Sequence, residues 1–274
     1  PNNVHVIASW LGAKKMKSYV ITIKGMKPSE DASQKCITTG SEHNVDVTLF
    51  DAYTPKHKPL EVFKSEEVDC GGTLFKDSHN SQAALGCMLS HYMLWKKCVE
   101  INEVTLILEH DAIVVSEIPD IIRNGEFKGL VNLAKPGYGR MTGISAGLGP
   151  MRSKCHLPGT HGYAVKPEGA QKLIEHCKRY GIHQPADRFL DAKFRFIQEY
   201  APWPIESAAT FTSIQYFAKD MSVDSARIPV AEKMGDSGFV MRTCKDILDP
   251  DTGKEIHNKE FIDDKGCAIK QYVK

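Results

Sequence analysis

No apolar run in this sequence approaches the roughly 18 residues that a membrane-spanning helix needs, so no transmembrane anchor is expected. No two cysteines stand at C-x-x-C spacing. The eight present (36, 70, 87, 98, 155, 177, 244 and 267) are scattered, which points to reduced thiols rather than a disulfide framework. Cys87 and Cys98 fall within a helical pattern, where a free cysteine behaves as a small core residue. The opening residues, PNNVHVIASWLGAKK, lack a basic start followed by a sustained apolar segment, so no secretory signal is expected. The expected location is therefore cytoplasmic, or the host cytoplasm for a viral chain. Internal repeats and low-complexity tracts are absent as well.

A local absence is more informative. Residues 128–166 contain no Asp or Glu, although the whole chain balances 35 Lys and Arg against 34 acids. The same stretch carries Lys128, Lys135, Arg140, Arg152, Lys154 and Lys166, with His156, His161 and eight glycines. A flexible basic segment in an otherwise balanced chain predicts an anionic partner.

What is present reads as an ordinary globular protein of 274 residues, long enough for one large domain or two packed ones. Residues 19–23 (YVITI) predict a strand, with Gly25 and Pro28 marking a turn after it. A short surface helix is expected over 30–42, ending near Gly40. Residues 45–50 predict a second strand with Asp51, Ala52 and Tyr53 at its polar exit, and 55–80 show no firm periodicity. Apolar residues recur at helical spacing over 81–101, with Ser81 placed to cap that helix. Short strands are expected over 104–108, 130–133 and 162–165, and a helix over 167–180 with Pro167 in its first turn. Alternating strands and helices predict an α/β fold with a mostly parallel central sheet.

The stretch 106–115, LILEHDAIVV, sets Glu109, His110 and Asp111 at the end of the strand over 104–108. Ligands of open α/β sheets bind outside the carboxyl ends of the strands. In extended backbone residues i and i+2 share a face, so Glu109 and Asp111 can converge on one ligand. A hard divalent cation that takes part of its shell from phosphate needs only one or two protein carboxylates, which suits magnesium or manganese. The plainer alternative has Asp111 capping the next segment and Glu109 pairing with a lysine.

Five segments in order resemble glycosyltransferase family 25, which includes lipooligosaccharide and collagen galactosyltransferases. They are the YVITI strand, Gly86-Cys87-Met88-Leu89-Ser90-His91 (G-C-x-x-S-H), Ile107-Leu108-Glu109-His110-Asp111-Ala112 (I-L-E-D-D-A in the family), the run from Gly162 to Leu173, and the P-x-D step Pro185-Ala186-Asp187. The resemblance covers roughly 18–215 and departs at His110, where the family has an acid. It also departs at Ile23-Lys24-Gly25, which lacks the family's polar pair.

The resemblance implies a GT-A-type, Rossmann-like nucleotide-binding fold over 1–217, with 218–274 as a C-terminal extension. It implies metal-assisted, inverting sugar transfer from a nucleoside diphosphate sugar, expected to be UDP-linked, with manganese or magnesium held by Asp111 and Glu109. Donor-binding candidates are Asp51, Ala52, Tyr53, Ser90, His91, Glu109 and His110. An inverting transfer needs one base for the acceptor hydroxyl. Asp187 is the first candidate, with His161 and His183 as competitors, either as base or as a further metal ligand. Arg140, Arg152 and Lys154 are expected on the acceptor or diphosphate side, and 210–215 (TFTSIQ) resembles the family's closing segment. Trp95 is expected in the core.

The basic stretch favours a polyanionic acceptor. DNA bearing hydroxymethylated bases, the substrate of a phage-type DNA-modifying enzyme, is expected first. A phosphorylated lipooligosaccharide core is the alternative, and collagen is disfavoured. Two other classes remain open: a non-catalytic sugar-nucleotide or nucleic-acid binding module, and a metal-dependent nuclease, for which the extra carboxylates of a two-metal site are missing. The oligomeric state is left open.

Overall fold

The computed structural model describes residues 16–71, 79–136, 144–153, 156–157, 160–192, 194–208, 247–248 and 255–256. The expected boundary near 217, segment 210–215, Arg140 and Lys154 lie outside them.

Strand β1 (Lys17–Thr22) leads into helix α1 (Lys27–Glu42). Pro28, expected in a turn, sits instead in the first turn of α1, where its missing N–H costs no helical bond. The helix runs past Gly40. A side chain there would meet Val47 Cγ2 at 2.8 Å and the Val45 carbonyl at 3.0 Å, so glycine lets α1 close onto β2 (Val47–Asp51). A 3-10 turn (Pro55–His57) and α2 (Pro59–Ser65) occupy a region without legible periodicity, each opened by a proline.

Helix α3 (His79–Ile101) begins two residues before Ser81, which is therefore internal rather than a cap. Leu85, Met88, Leu89, Tyr92, Leu94, Trp95 and Cys98 are all buried. They ring the whole helix because the 3-10 turn, α2 and α5 (Pro167–Tyr180) cover it. Helix α5 matches its expected limits: Pro167 opens it, and Gly181 ends it at φ 74°. Strands β3 (Thr105–Glu109), β4 (Ala112–Val114), β5 (Leu130–Asn132), β6 (Gly147–Pro150), β7 (Gly162–Val165), β8 (Ile197–Ala201) and β9 (Ile205–Ser207), with short helices α4 (Asp120–Arg123) and α6 (Ala186–Phe189), complete the body. Residues 247–248 (β10) and 255–256 (β11), in the expected extension, pair antiparallel.

Seven strands form the central sheet in the order β2-β1-β3-β7-β5-β8-β6. β2, β1 and β3 are mutually parallel, β7 is antiparallel to both its neighbours, β5 and β8 are parallel, and β6 is antiparallel to β8. Five strands thus share one direction, the mostly parallel α/β sheet expected from the sequence, and β7 and β6 oppose them. Strand alternation divides the core in two. Ile21, Ile107, Leu130, Tyr163 and Val165 face α3 and α5, whereas Val20, Leu106, Leu108, Val131 and Ala164 face the α1 side.

Candidate active site

The acid triplet lies at the C-terminal end of β3, as expected, but the way its acids converge differs. Glu109 ends the strand, while His110 and Asp111 form a turn into β4. The turn at His110 and Asp111, not the strand pleat, sets Asp111 beside Glu109.

The third partner comes from across the sheet. Because β7 runs antiparallel to β3 with Leu108 opposite Gly162, the residues just before β7 arrive at the C-terminal end of β3. The Glu109 amide donates to the His161 carbonyl at 3.1 Å, and the His161 ring stands 3.1 Å from Asp111 Oδ1 through Nδ1. Strand β9 pairs antiparallel with β4, setting Ser207 opposite Ala112, so the Ser207 hydroxyl donates to Asp111 Oδ2 at 3.1 Å. Glu109, Asp111 and His161 then offer ligand atoms within 4.8 Å of one another.

Electrostatics bind this triad together. Burial disfavours the ionised Asp111 carboxylate, but the His161 hydrogen bond and charge, His110 and the Ser207 hydroxyl outweigh it and hold its pKa below the usual 3.8. Burial likewise opposes a charged His161, and Asp111 (by hydrogen bond and charge) with Glu109 and Asp187 overcomes it, raising its pKa above 6.5. Asp187, at the start of α6, has its carboxyl raised above 3.8, first by burial and then by the charge of Glu109. It stands within electrostatic reach of Glu109, His161 and Cys87.

Beside the triad, a cleft opens between the ends of β1, β2 and β3. Ile21, Ile23, Ala52, Tyr53, Cys87, Ser90, Glu109 and His110 contribute to its walls. The Ile23 exit, which departs from the family pattern, thus supplies an apolar wall, and Lys24 turns outward to Asp51 at 3.8 Å. Asp51 is exposed there, whereas Ala52 and Tyr53 face the cleft.

Ser90 and His91 are fully buried, Ser90 within the cleft wall and His91 behind Glu109. The Ser90 hydroxyl accepts the Tyr53 amide at 2.9 Å and donates to the Gly86 carbonyl. Gly86 is needed for that contact, because a Cβ would lie 2.7 Å from the Tyr53 carbonyl oxygen. His91 Nε2 lies 3.3 Å from Glu109 Oε1, which also accepts from the Thr160 hydroxyl and faces the Cys87 thiol at 4.0 Å. Trp95 is core, as expected, with its indole N–H on Tyr163.

The other candidates lie elsewhere. His183 is exposed at the far end of α5 and bonds the Tyr180 carbonyl. Arg152 follows β6, four strands from β3, roughly 19 Å away at the usual strand spacing, and its amide is bound by Glu199. The acid-free stretch is not acid-free in space. Lys135 pairs with Glu206 at 2.8 Å, Lys166 pairs with Glu168 at 2.7 Å, and the buried Glu199 accepts the amides of Arg152 and Ser153.

Thr160 and Ser207, which complete the site, escaped the sequence reading. Thr160 sits one residue before His161 and could have been suspected, but Ser207 is 96 residues from Asp111 and carries no local signal.

A mostly parallel sheet with carboxylates gathered at a strand end and a cleft across β1–β3 agrees with the α/β nucleotide-binding architecture expected from the sequence. Residues 15–131 match the model of glycosyltransferase family 25 (LPS biosynthesis protein). The match takes in β1, the G-C-x-x-S-H helix and the acid triplet, and ends in β5 before the run from Gly162. Comparison with curated proteins gives no match. Similar solved structures include the galactosyltransferase LgtC in complex with donor and acceptor sugar analogs, at 9% identity, covering 80% of this chain and 99% of that one, TM-score 0.40. Mouse xyloside xylosyltransferase 1, apo form, is similar at 8% identity over 65% and 80% of the two chains, TM-score 0.32. A glycosyltransferase involved in the glycosylation of the major capsid of PBCV-1 is similar at 10% identity over 75% and 98%, TM-score 0.34.

Proposed function

We propose that this glycosyltransferase moves a sugar from a nucleoside diphosphate sugar, UDP-linked, to a hydroxyl of a lipopolysaccharide-type glycan, with inversion at the anomeric carbon. The observation carrying this reading is the convergence of Glu109, Asp111 and His161 within 4.8 Å beside the β1–β3 cleft. Two carboxylates and one imidazole form a donor set suited to manganese or magnesium that completes its shell with phosphate oxygens. A cation held there supplies charge neutralisation for the departing diphosphate.

The remaining chemistry belongs to the chain. Ala52 and Tyr53, with the Tyr53 amide fixed by Ser90, shape the cleft for the nucleoside. Asp187 is the base of this reading. Its raised pKa makes its carboxylate a stronger proton acceptor than an ordinary aspartate, so it can take the acceptor hydroxyl's proton as that oxygen attacks. His161 is less suited to the task, because its Nδ1 is engaged by Asp111.

The family description supports a glycolipid acceptor over DNA. The basic stretch that favoured DNA is partly neutralised, since Lys135 and Lys166 face acids from outside it. The free thiols Cys36, Cys70, Cys87, Cys98 and Cys177 fit a reaction in the cytoplasm. Among the described residues no helix is long and apolar enough to cross a membrane.

The test is mass spectrometry of lipooligosaccharide and of hydroxymethylated DNA, each incubated with a panel of nucleotide sugars and Mn²⁺. The proposal expects added mass on the glycan, lost in Asp111→Ala. Mass on DNA alone transfers the assignment to DNA, and transfer undiminished in EDTA overturns the metal.

A further inference from the structure

One feature beside the site is ordered without being part of the cleft: a chain of hydrogen bonds through the fully buried Trp95, Tyr163 and His91 that ends on Glu109. Its proton positions follow from chemistry. The Trp95 indole N–H can only donate, so Tyr163 Oη accepts it at 2.8 Å. The Tyr163 hydroxyl proton then meets His91 Nδ1 at 2.9 Å, making that nitrogen the acceptor. A neutral imidazole with an accepting Nδ1 carries its proton on Nε2, which faces Glu109 Oε1 at 3.3 Å. The reverse order fails twice. It would set the Nε2 lone pair against a carboxylate that only accepts, and it would crowd two donors onto Tyr163 while its own proton faced the donating Nδ1–H. Burial pushes the Tyr163 phenol well above its ordinary 10.0, so the proton stays on the oxygen that donates it.

This order has two consequences for Glu109. His91, Thr160 and Cys87 all direct their hydrogens at Oε1, so Oε2 is the oxygen presented for a ligand. It also settles which donor group suits a cation. Cys87, His91 and Glu109 lie within 4.8 Å of one another as well. His91 Nε2, however, holds its proton for Glu109, so His91 is not a ligand within that group.

We infer that Trp95, Tyr163 and His91 are positioning residues for the transfer reaction: a proton-ordered relay that fixes His91 as the Nε2–H tautomer and thereby aims Glu109 at the donor–cation site. The inference rests on the reading of Glu109 given under the proposed function. The relay acts as outer partners of metal ligands do, by fixing a ligand's orientation from behind. It also explains why the helix carries His91 in a fully buried position, where it cannot touch substrate.

Two substitutions at one position separate positioning from packing. Glutamine reaches the Nε2 position with an N–H for Glu109, whereas asparagine reaches only the Nδ1 position beside Tyr163. The full chain is titrated calorimetrically with Mn²⁺ alone. His91→Asn and Tyr163→Phe are expected to weaken Mn²⁺ binding by about tenfold or more, and His91→Gln to stay within about threefold of wild type. Equal loss in His91→Gln and His91→Asn, with similar unfolding midpoints, overturns the inference, and so does no loss in either. Long-range ¹H–¹⁵N spectra of the metal-free chain supply an independent reading. A neutral His91 with its proton on Nε2, disturbed in Tyr163→Phe, is the expected result, and a proton on Nδ1 or on both nitrogens overturns the relay. If the tautomer is as expected but wild type binds no Mn²⁺, the functional reading fails and the positioning role falls with it.

Discussion

Replacing Asp111 by Asn keeps the shape of a buried side chain and removes its charge, so it tests the electrostatics of the site directly. In the fold, Oδ1 accepts from His161 and Oδ2 from Ser207, each at 3.1 Å. A hydrogen bond to a charged group is worth about 1.5–3 kcal/mol and a neutral one about 0.5–1.5, so losing the charge at two bonds costs about 2 kcal/mol. Relief of repulsion with nearby Glu109 acts the other way. Its size is bounded by the pKa: Asp111 sits below 3.8 despite burial, so the attractions outweigh the repulsions in the native protein. The expected net loss in the metal-free protein is about 1–2 kcal/mol, or roughly 3–6 °C in melting temperature.

The pH dependence gives the sign. His161 has a raised pKa, so its contribution is complete below 6.5 and is lost as pH rises through the folded value. Asp111 has a lowered pKa, so its contribution is complete above 3.8 and is lost as pH falls through the folded value. The stability gap between wild type and Asp111→Asn is therefore widest between these two pH values and narrows above them. Chemical denaturation in EDTA at a series of pH values measures it. Mn²⁺-dependent transfer should fall by roughly 100-fold or more, since several kcal/mol of charge stabilisation at the leaving group is lost. A gap that widens steadily towards pH 9, or a variant that transfers sugar at the wild-type rate, refutes this account.

Asp187→Asn should lower kcat by about 10²–10⁴-fold while leaving Mn²⁺ affinity within a few-fold, measured by single-turnover transfer and calorimetry. In Gly86→Ala the new methyl group meets the Tyr53 carbonyl at 2.7 Å, backbone that can move only with the cleft wall. The expected cost is about 1–3 kcal/mol, with weaker binding of free nucleoside diphosphate, both measurable by denaturation and titration. Glu199→Ala removes the acceptor of the Arg152 and Ser153 amides and the Ser153 hydroxyl, leaving buried donors unsatisfied. It should destabilise by about 1–3 kcal/mol and leave Mn²⁺ affinity unchanged, which separates loop clamping from the site.

Elements with strong local signals are legible in the sequence alone. Helix α5 announced itself by Pro167, its apolar period and Gly181, and β3 by a compact apolar run closed by acids. Helix α3 was recognisable, but its start was misjudged, because Ser81 resembles a cap wherever it stands. Strand β6 was invisible: GLGP has no β-forming side chains, and its pairing with β8 supplies the reason for its conformation. The acid-free stretch misled for a related reason. Charge balance is a property of neighbours in space, and Glu168, Glu199 and Glu206 all lie beyond residue 166.

By itself the sequence determined that an α/β sheet would end one strand at the segment holding Glu109 and Asp111, because strand periodicity and the order of segments are written locally. Only the tertiary structure decided what those acids meet. The reversed direction of β7 delivers Thr160 and His161 to them, the β4–β9 pairing delivers Ser207, and the burial of α3 stations His91 behind Glu109. Strand direction and register depend on contacts between residues dozens of positions apart, and no short stretch of chain encodes them alone.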